Sequence, residues 1–306
     1  MFAAFAGSTL VLNGCGSSDD SGGSGDVTLG FVYGGDTEFH SCPQKAVEQT
    51  AKTENVKIFT ADSHQNSTTE LSNIEDMTSR SVSALIVQTV NVDALKGDIA
   101  KAKAANIPIY LTSVATGDVN DILGAAVVDL GKLGALDAGW IAKDAGGKNV
   151  QVGVIAGAPG AASDLMVGGF TKALPSTAEV VANQPGMFNP VKAQDVAENM
   201  IQAHPDLQYP FVAPEDMVPA ARKAFDAAGK KDVKIVTANG TDEGVAAVED
   251  GRLSATAANS AMSIGRTAVK NAVGLLTKEK VDKIANIPLL LVTKDNLNKA
   301  PQYCPK

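Results

Sequence analysis

The chain has 306 residues, of which 44% are apolar and 20% charged. That is soluble-globular composition with enough length for two lobes, each with a buried core. A net charge of −8 argues against a nucleic-acid partner, because phosphate binding needs concentrated lysine and arginine. The acidic excess is read as a solubility feature.

In chain order, residues 2–12 are apolar or small, and Asn13, Gly14, Cys15 and a Gly/Ser/Asp-rich run follow. Such a segment reads as an export signal and flexible tether, not as fold, so 1–25 is set apart. Leu12-Asn13-Gly14-Cys15 resembles the bacterial lipobox, in which the cysteine thiol receives a diacylglycerol. Asn13 is unusual there, and a basic stretch before the apolar one is missing. No other run reaches the roughly 18 apolar residues of a membrane-spanning helix. The expectation is an exported protein, lipid-anchored at Cys15 on the periplasmic or extracellular face of the cell membrane. Cys42 and Cys304 then remain as an even pair, either a disulfide or two free thiols. The three histidines, His40, His64 and His204, lack metal-ligand spacing, and neither metal nor cofactor is expected.

From Val27 onward, short β-branched runs alternate with helical patterns. VTLGFVY (27–33) reads as a strand, with a helix over 43–54. VKIFTA (56–61) is strand-like, and Leu71, Ile74 and Met77 place a helix over 68–80. SALIVQT (83–89) reads as a buried strand. Leu95, Ile99 and Ala102 share one helical face. PIYLTS (108–113) and GAAVV (124–128) are strands, with a helix over 130–145 in which Trp140 is read as core. The alternation restarts with strand 150–157, helix 162–173, strand 179–184 and helix 192–204. QYPFVAP then leads to helix 218–228. Strand 233–239, a helix opened by GTDEG, strand 254–259, helix 264–276 and strand 288–293 complete the chain.

Repeated β-α units imply parallel sheets covered by helices, and there are too many strands for one sheet. The expected fold is α/β, with two Rossmann-like lobes. Ligands of open parallel sheets bind beyond the carboxyl ends of the strands. The candidate site is therefore made of the residues just past each strand. Phosphate-loop, dinucleotide and G-x-S-x-G signatures are missing, so no enzyme is expected and no catalytic residue is assigned.

The order and spacing of ELSNIEDMTSRSVSALIVQTVNVDAL, AKAANIPIYL, VGGF, VAENMIQAHPDLQ, GTDEGVAAVEDGRLSATAAN and LLLVTKDN resemble the sugar-type periplasmic binding proteins of the ribose-binding class. The resemblance covers nearly all of 27–297. It implies a three-segment hinge with crossings near Ala126, Asn259 and Pro288. The lobes would then be 26–126 plus 260–288, and 127–259 plus 289–306. It also implies a ligand-binding set of Asp36, Phe39, Ser113, Met166, Phe188, Pro214, Asn239 and Asn259. The aromatics would stack on a sugar face, and the polar groups would hydrogen-bond its hydroxyls. Both arginines of the family's pocket are replaced, by Val114 and Met166, and Glu38 stands where the first aromatic is usual. A more neutral pocket is therefore expected. The function implied is that of a monomeric substrate-binding lipoprotein of an ABC importer, passing a monosaccharide or polyol to a membrane permease. The alternative is a binder of a signalling molecule, since Ala213-Pro214 also resembles binders of a furanosyl quorum signal (autoinducer-2) and of deoxy sugars. A sugar-responsive repressor is disfavoured, because a lipobox and tether stand where a DNA-binding module belongs.

Overall fold

The computed structural model describes residues 27–306 apart from 93 and 116; Cys15 and its lipobox lie outside the described residues. The first sheet contains β1 (Thr28–Tyr33), β2 (Lys57–Asp62), β3 (Ala84–Val87), β4 (Ile109–Ser113), β5 (Gly124–Val127) and, from much later in the chain, β11 (Ile284–Asn286). Their order is β11-β5-β4-β3-β1-β2, and every pairing is parallel. The second sheet contains β6 (Val150–Ala156), β7 (Ala178–Pro185), β8 (Leu207–Val212), β9 (Val236–Asn239), β10 (Ala255–Ala258) and β12 (Leu290–Val292). Its order, β12-β10-β9-β8-β6-β7, repeats the first sheet's arrangement. One pairing departs from the expected parallel pattern. β12 runs antiparallel to β10, because it enters directly from the neighbouring lobe without a crossover helix to reverse it.

Helices cover both sheets: α1 (Glu38–Thr53), α2 (Ser67–Ser79), α3 (Leu95–Ala104) and α9 (Ala261–Leu276) on the first, and α4 (Leu130–Ala145), α5 (Ala161–Ala173), α6 (Pro190–Ala203), α7 (Val218–Ala227) and α8 (Asp242–Asp250) on the second. The central strands are buried on both faces, so ALIV of β3 and IYLTS of β4 are continuous, not alternating, runs. Phe31, Val47 and Val269 fill one side of the first sheet, and Ile74, Leu85 and Leu111 the other. In the second sheet Phe170 stacks on Phe211 at 4.2 Å, while Val212, Phe225 and Ile235 pack the opposite face. Trp140 lies half-buried against the Tyr209 ring. Helix starts follow their caps. Asn66, Asp129, Asn189, Thr241 and Ser260 each accept a backbone N–H from the first turn.

The start of α1 differs most from expectation. The helix begins at Glu38, five residues before the expected start, and Pro43 lies inside it. Proline has no N–H to donate to the carbonyl four residues back, so the Phe39 carbonyl needs another donor. Gln88 supplies it, through Nε2, at 2.9 Å.

The chain passes between the lobes after β5, between β10 and α9, and between β11 and β12. The C-terminal tail was grouped with the second lobe, yet its end returns to the first. Tyr303 is fully buried beside Cys42 and Ala261. Cys304 is disulfide-bonded to Cys42 of α1, with Cα atoms 4.8 Å apart. The tail also holds the second crossing, since Met262 N donates to the Tyr303 carbonyl at 2.8 Å and Ser260 Oγ to that of Gln302 at 2.7 Å.

Candidate functional site

A cavity of about 930 Å³ lies between the carboxyl ends of the two sheets. Phe39, Ser113, Met166, Phe188, Pro214, Asn239 and Asn259 all line it. Asp36 does not; it is exposed outside the cavity. Thr37 occupies the N-cap position and Glu38 opens the helix, so the first turn of α1, not the loop before it, turns toward the cavity.

The two aromatics come from opposite lobes. Phe39 stands on the first turn of α1 and is 39% exposed; Phe188 follows β7 and is 47% exposed, so both rings offer bare faces. Phe188 depends on a glycine. Its ring lies against Gly157 so closely that a Cβ there would collide with it. Met187 and Phe188 both take left-handed backbone, φ 63° and 53°.

Polar groups surround the rings. Asn239 and Asn259 end the neighbouring strands β9 and β10, and Asn259 N donates to the Asn239 carbonyl at 3.0 Å. That bond puts the two residues side by side, and neither carboxamide is engaged by another described residue. Ser113 is 6% exposed, and its Oγ has no hydrogen-bond partner among the described residues. A buried polar atom of this kind in a cavity wall is a candidate ligand contact. Pro214 follows a cis peptide bond at the end of β8. The next residue, Glu215, is used internally: Gly240 N at 2.9 Å, Thr241 N at 2.8 Å and Thr256 Oγ1 all donate to its carboxylate. Burial pushes its pKa up, and those donors pull it back.

Sequence reasoning missed one group. His40 lines the cavity but is 6% exposed, lodged between Gln88 and Gln65. Burial lowers its pKa. A helix start hidden by Pro43 gave no pattern from which to place it. Residues of α7, α8 and the segment after α8 also line the cavity and were missed: Val218, Pro219, Ala247 and Leu253, with the charged Arg222, Lys223, Asp226, Glu243 and Arg252. The remaining charged lining residues, Glu38, Glu215 and Asp216, are acidic. Among the described residues no cluster of acidic, histidine and cysteine side chains could hold a metal, and no helix is long and apolar enough to cross a membrane.

Comparison with known proteins accords with this geometry. Residues 30–280 match the periplasmic binding protein domain. The ribose import binding protein of Bacillus subtilis is 30% identical over 279 residues, 90% of each chain. That of Escherichia coli K12 is 34% identical over 241 residues, 78% of this chain and 80% of its own. Among solved structures, an ABC transporter solute-binding protein of Mycobacterium smegmatis with bound glycerol superposes with a TM-score of 0.83 at 23% identity, covering 92% of this chain and 99% of that one. These relatives are binding proteins, two of ribose import and one of an ABC transporter, not enzymes. With its two lobes of mostly parallel sheet and its matched length, the chain belongs to the periplasmic binding protein family, among the type I sugar- and polyol-binding proteins.

Proposed function

We propose that this protein is the substrate-binding lipoprotein of an ABC importer, anchored through Cys15, which closes its lobes over a monosaccharide or polyol and passes it to the permease. The observation that carries the reading is the pairing of Phe39 and Phe188 across the cavity, one from each lobe, with the free carboxamides of Asn239 and Asn259 and the Ser113 hydroxyl around them. Aromatic faces cover C–H surfaces of a sugar or polyol, and neutral amides and hydroxyls meet its hydroxyls. Of the basic lining residues, Arg222 is engaged by Asp226 and the carbonyls of Lys230 and Val233, and Arg252 by Asp250, which favours an uncharged guest over a phosphorylated or carboxylated one. A ligand that touches both lobes favours the closed arrangement by its differential affinity for it. The relatives support the class: one binds ribose by name, another xylitol, and a solved structure holds myo-inositol.

Thermal-shift screening against ribose, allose, xylitol, myo-inositol and glycerol tests the reading. At least one compound raises Tm, and Phe188→Ala weakens its binding by roughly tenfold or more, as expected for a lost ring contact. A panel with no shift, or Phe188→Ala with unchanged affinity, counts against the class. Lipidation at Cys15 is read by the intact mass of detergent-extracted protein.

A further inference from the structure

We propose that Gln65 is a specificity-determining contact that presents its carbonyl oxygen to the bound solute, and that His40, as the neutral Nδ1–H tautomer, is the positioning residue that fixes this orientation. The inference deepens the sugar or polyol reading and rests on it.

The argument starts at Pro43. Because Pro43 has no N–H, the Phe39 carbonyl must be met from outside the helix, and only the NH₂ end of the Gln88 side chain can do so. Gln88 is 1% exposed, so its amide has no freedom to turn away. Its Oε1 then faces His40 Nδ1 at 3.1 Å and can only accept, so Nδ1 carries the hydrogen. In a neutral ring Nε2 must then be the acceptor. Gln65 meets it with Nε2, which leaves Gln65 Oε1 as the free end of an exposed residue lining the cavity. Room for this chain of bonds comes from Gly34, where a Cβ would collide with the His40 ring and with Val90. A proline one helical turn beyond Phe39 thus dictates which atom Gln65 shows the cavity.

The carboxylates that act on the ring are Asp62, at the end of β2 and paired with His64 at 3.3 Å, and Asp36, in the loop before α1. Gln88 and Val90, from the segment after β3, are neutral. Burial outweighs the two carboxylates and holds His40 below the ordinary histidine value of about 6.5. Once protonated, His40 donates from Nε2, and Gln65 must turn its NH₂ group toward the solute instead. A hydroxyl that donated to Gln65 at neutral pH must then accept, or lose the bond.

The test combines calorimetric titration of ribose, allose, xylitol, myo-inositol and glycerol with NMR of the His40 imidazole. The ring should read as the neutral Nδ1–H tautomer, and Gln65→Glu, which offers Nε2 only acceptors, should raise its titration midpoint. Gln65→Met should bind the sugar roughly tenfold more weakly, and the bond lost to the buried His40 should lower its ligand-free Tm slightly. Gln65→Glu keeps the acceptor and should retain most of the affinity, which a purely structural role would not predict. Wild-type affinity should fall several-fold as pH drops through the His40 midpoint, while Gln65→Met stays flat. A neutral Nε2–H ring overturns the inference, as does Gln65→Met with wild-type affinity and pH profile. Silence of the wild-type protein toward all five compounds sinks the sugar or polyol reading and this inference together, whereas binding with an unchanged Gln65→Met sinks the inference alone.

Discussion

Each lobe fixes a cavity-facing segment with a buried carboxyl group, and the two groups are partnered differently. In the first lobe Glu70 of α2 takes the turn after β3, accepting from Thr89 Oγ1 and Val90 N, each at 2.7 Å. In the second, Glu215 takes the turn after β9 through Gly240 N, Thr241 N and Thr256 Oγ1. Both are nearly inaccessible to solvent, and burial raises both pKa values. Glu215 is surrounded by donors. Glu70 instead faces a second carboxyl group, Asp98 of α3, whose Oδ2 has no hydrogen-bond partner among the described residues, and its pKa is pushed up to about 7, chiefly by burial, with Asp98 adding to the rise. A carboxyl group that meets only donors must stay a carboxylate-shaped acceptor, whereas one that faces another acid serves as the donor of the pair. The same substitution, Glu→Gln, should therefore act differently in the two lobes.

Glu215→Gln should show the larger effect. Whichever oxygen becomes NH₂ points a donor at a backbone N–H, Gly240 or Thr241, and neither can turn away. Leaving buried donors face to face costs about 3 kcal/mol, read as a fall in the denaturation midpoint. The turn adjoins Asn239, so affinity for any bound sugar should fall as well. A variant with wild-type stability would mean that the carboxylate does not hold this turn.

Asp137 of α4 isolates the electrostatic part of the comparison. It is fully buried, neither oxygen meets hydrogen-bond geometry, and burial raises its pKa well above the ordinary carboxylate value, with Glu215 adding to the rise and the nearby Ala257 amide opposing it. A carboxyl group with a raised folded pKa contributes its full stability below the unfolded pKa and loses it as pH rises toward the folded one. Asp137→Asn abolishes that loss. It should match the wild type near pH 4 and be the more stable of the two at pH 7, since only the wild type loses stability as pH rises between the two pKa values. Equal stability at both pH values would place an ionised Asp137 in the folded protein.

These buried acids also show where the sequence stops being legible. The strands were readable because β3 and β4 are buried on both faces, so β3 is apolar throughout and β4 is apolar as far as Leu111. Their ends pointed to Phe39, Ser113, Asn239 and Asn259, because topology alone puts strand ends at the cavity. β11 was missed, since three half-exposed residues carry no periodicity. Glu70 and Glu215 look like ordinary helix and loop acids until hydrogen bonds spanning 19 to 41 residues of sequence are seen. His40 and Gln65 are linked across 25 residues by a bond that no local spacing announces. Asp36 was read from the same strand end as Phe39 as well as from the resemblance, and the early start of α1 leaves it outside the cavity.

Glu70→Gln gives the smallest expected change and the sharpest contrast with Glu215→Gln. The new amide keeps an oxygen for Val90 N and turns its NH₂ group toward the Asp98 carboxylate, doing permanently what the proton of Glu70 does only below its raised pKa. Thr89 loses an acceptor, but its hydroxyl already lies 3.1 Å from the Asn91 carbonyl and can donate there alone. Wild-type stability declines between the ordinary glutamate value and about 7, whereas that of the variant does not. Glu70→Gln should therefore be no more stable than the wild type at pH 5 and more stable by about 1 kcal/mol at pH 8, the gain held down by the displaced Thr89 bond. The pH dependence of Tm for the two proteins, compared under identical salt, reads this directly. A Glu70→Gln variant destabilised as much as Glu215→Gln, at every pH, would show that Glu70 grips its turn as an ionised acceptor too, and the difference between the lobes would vanish.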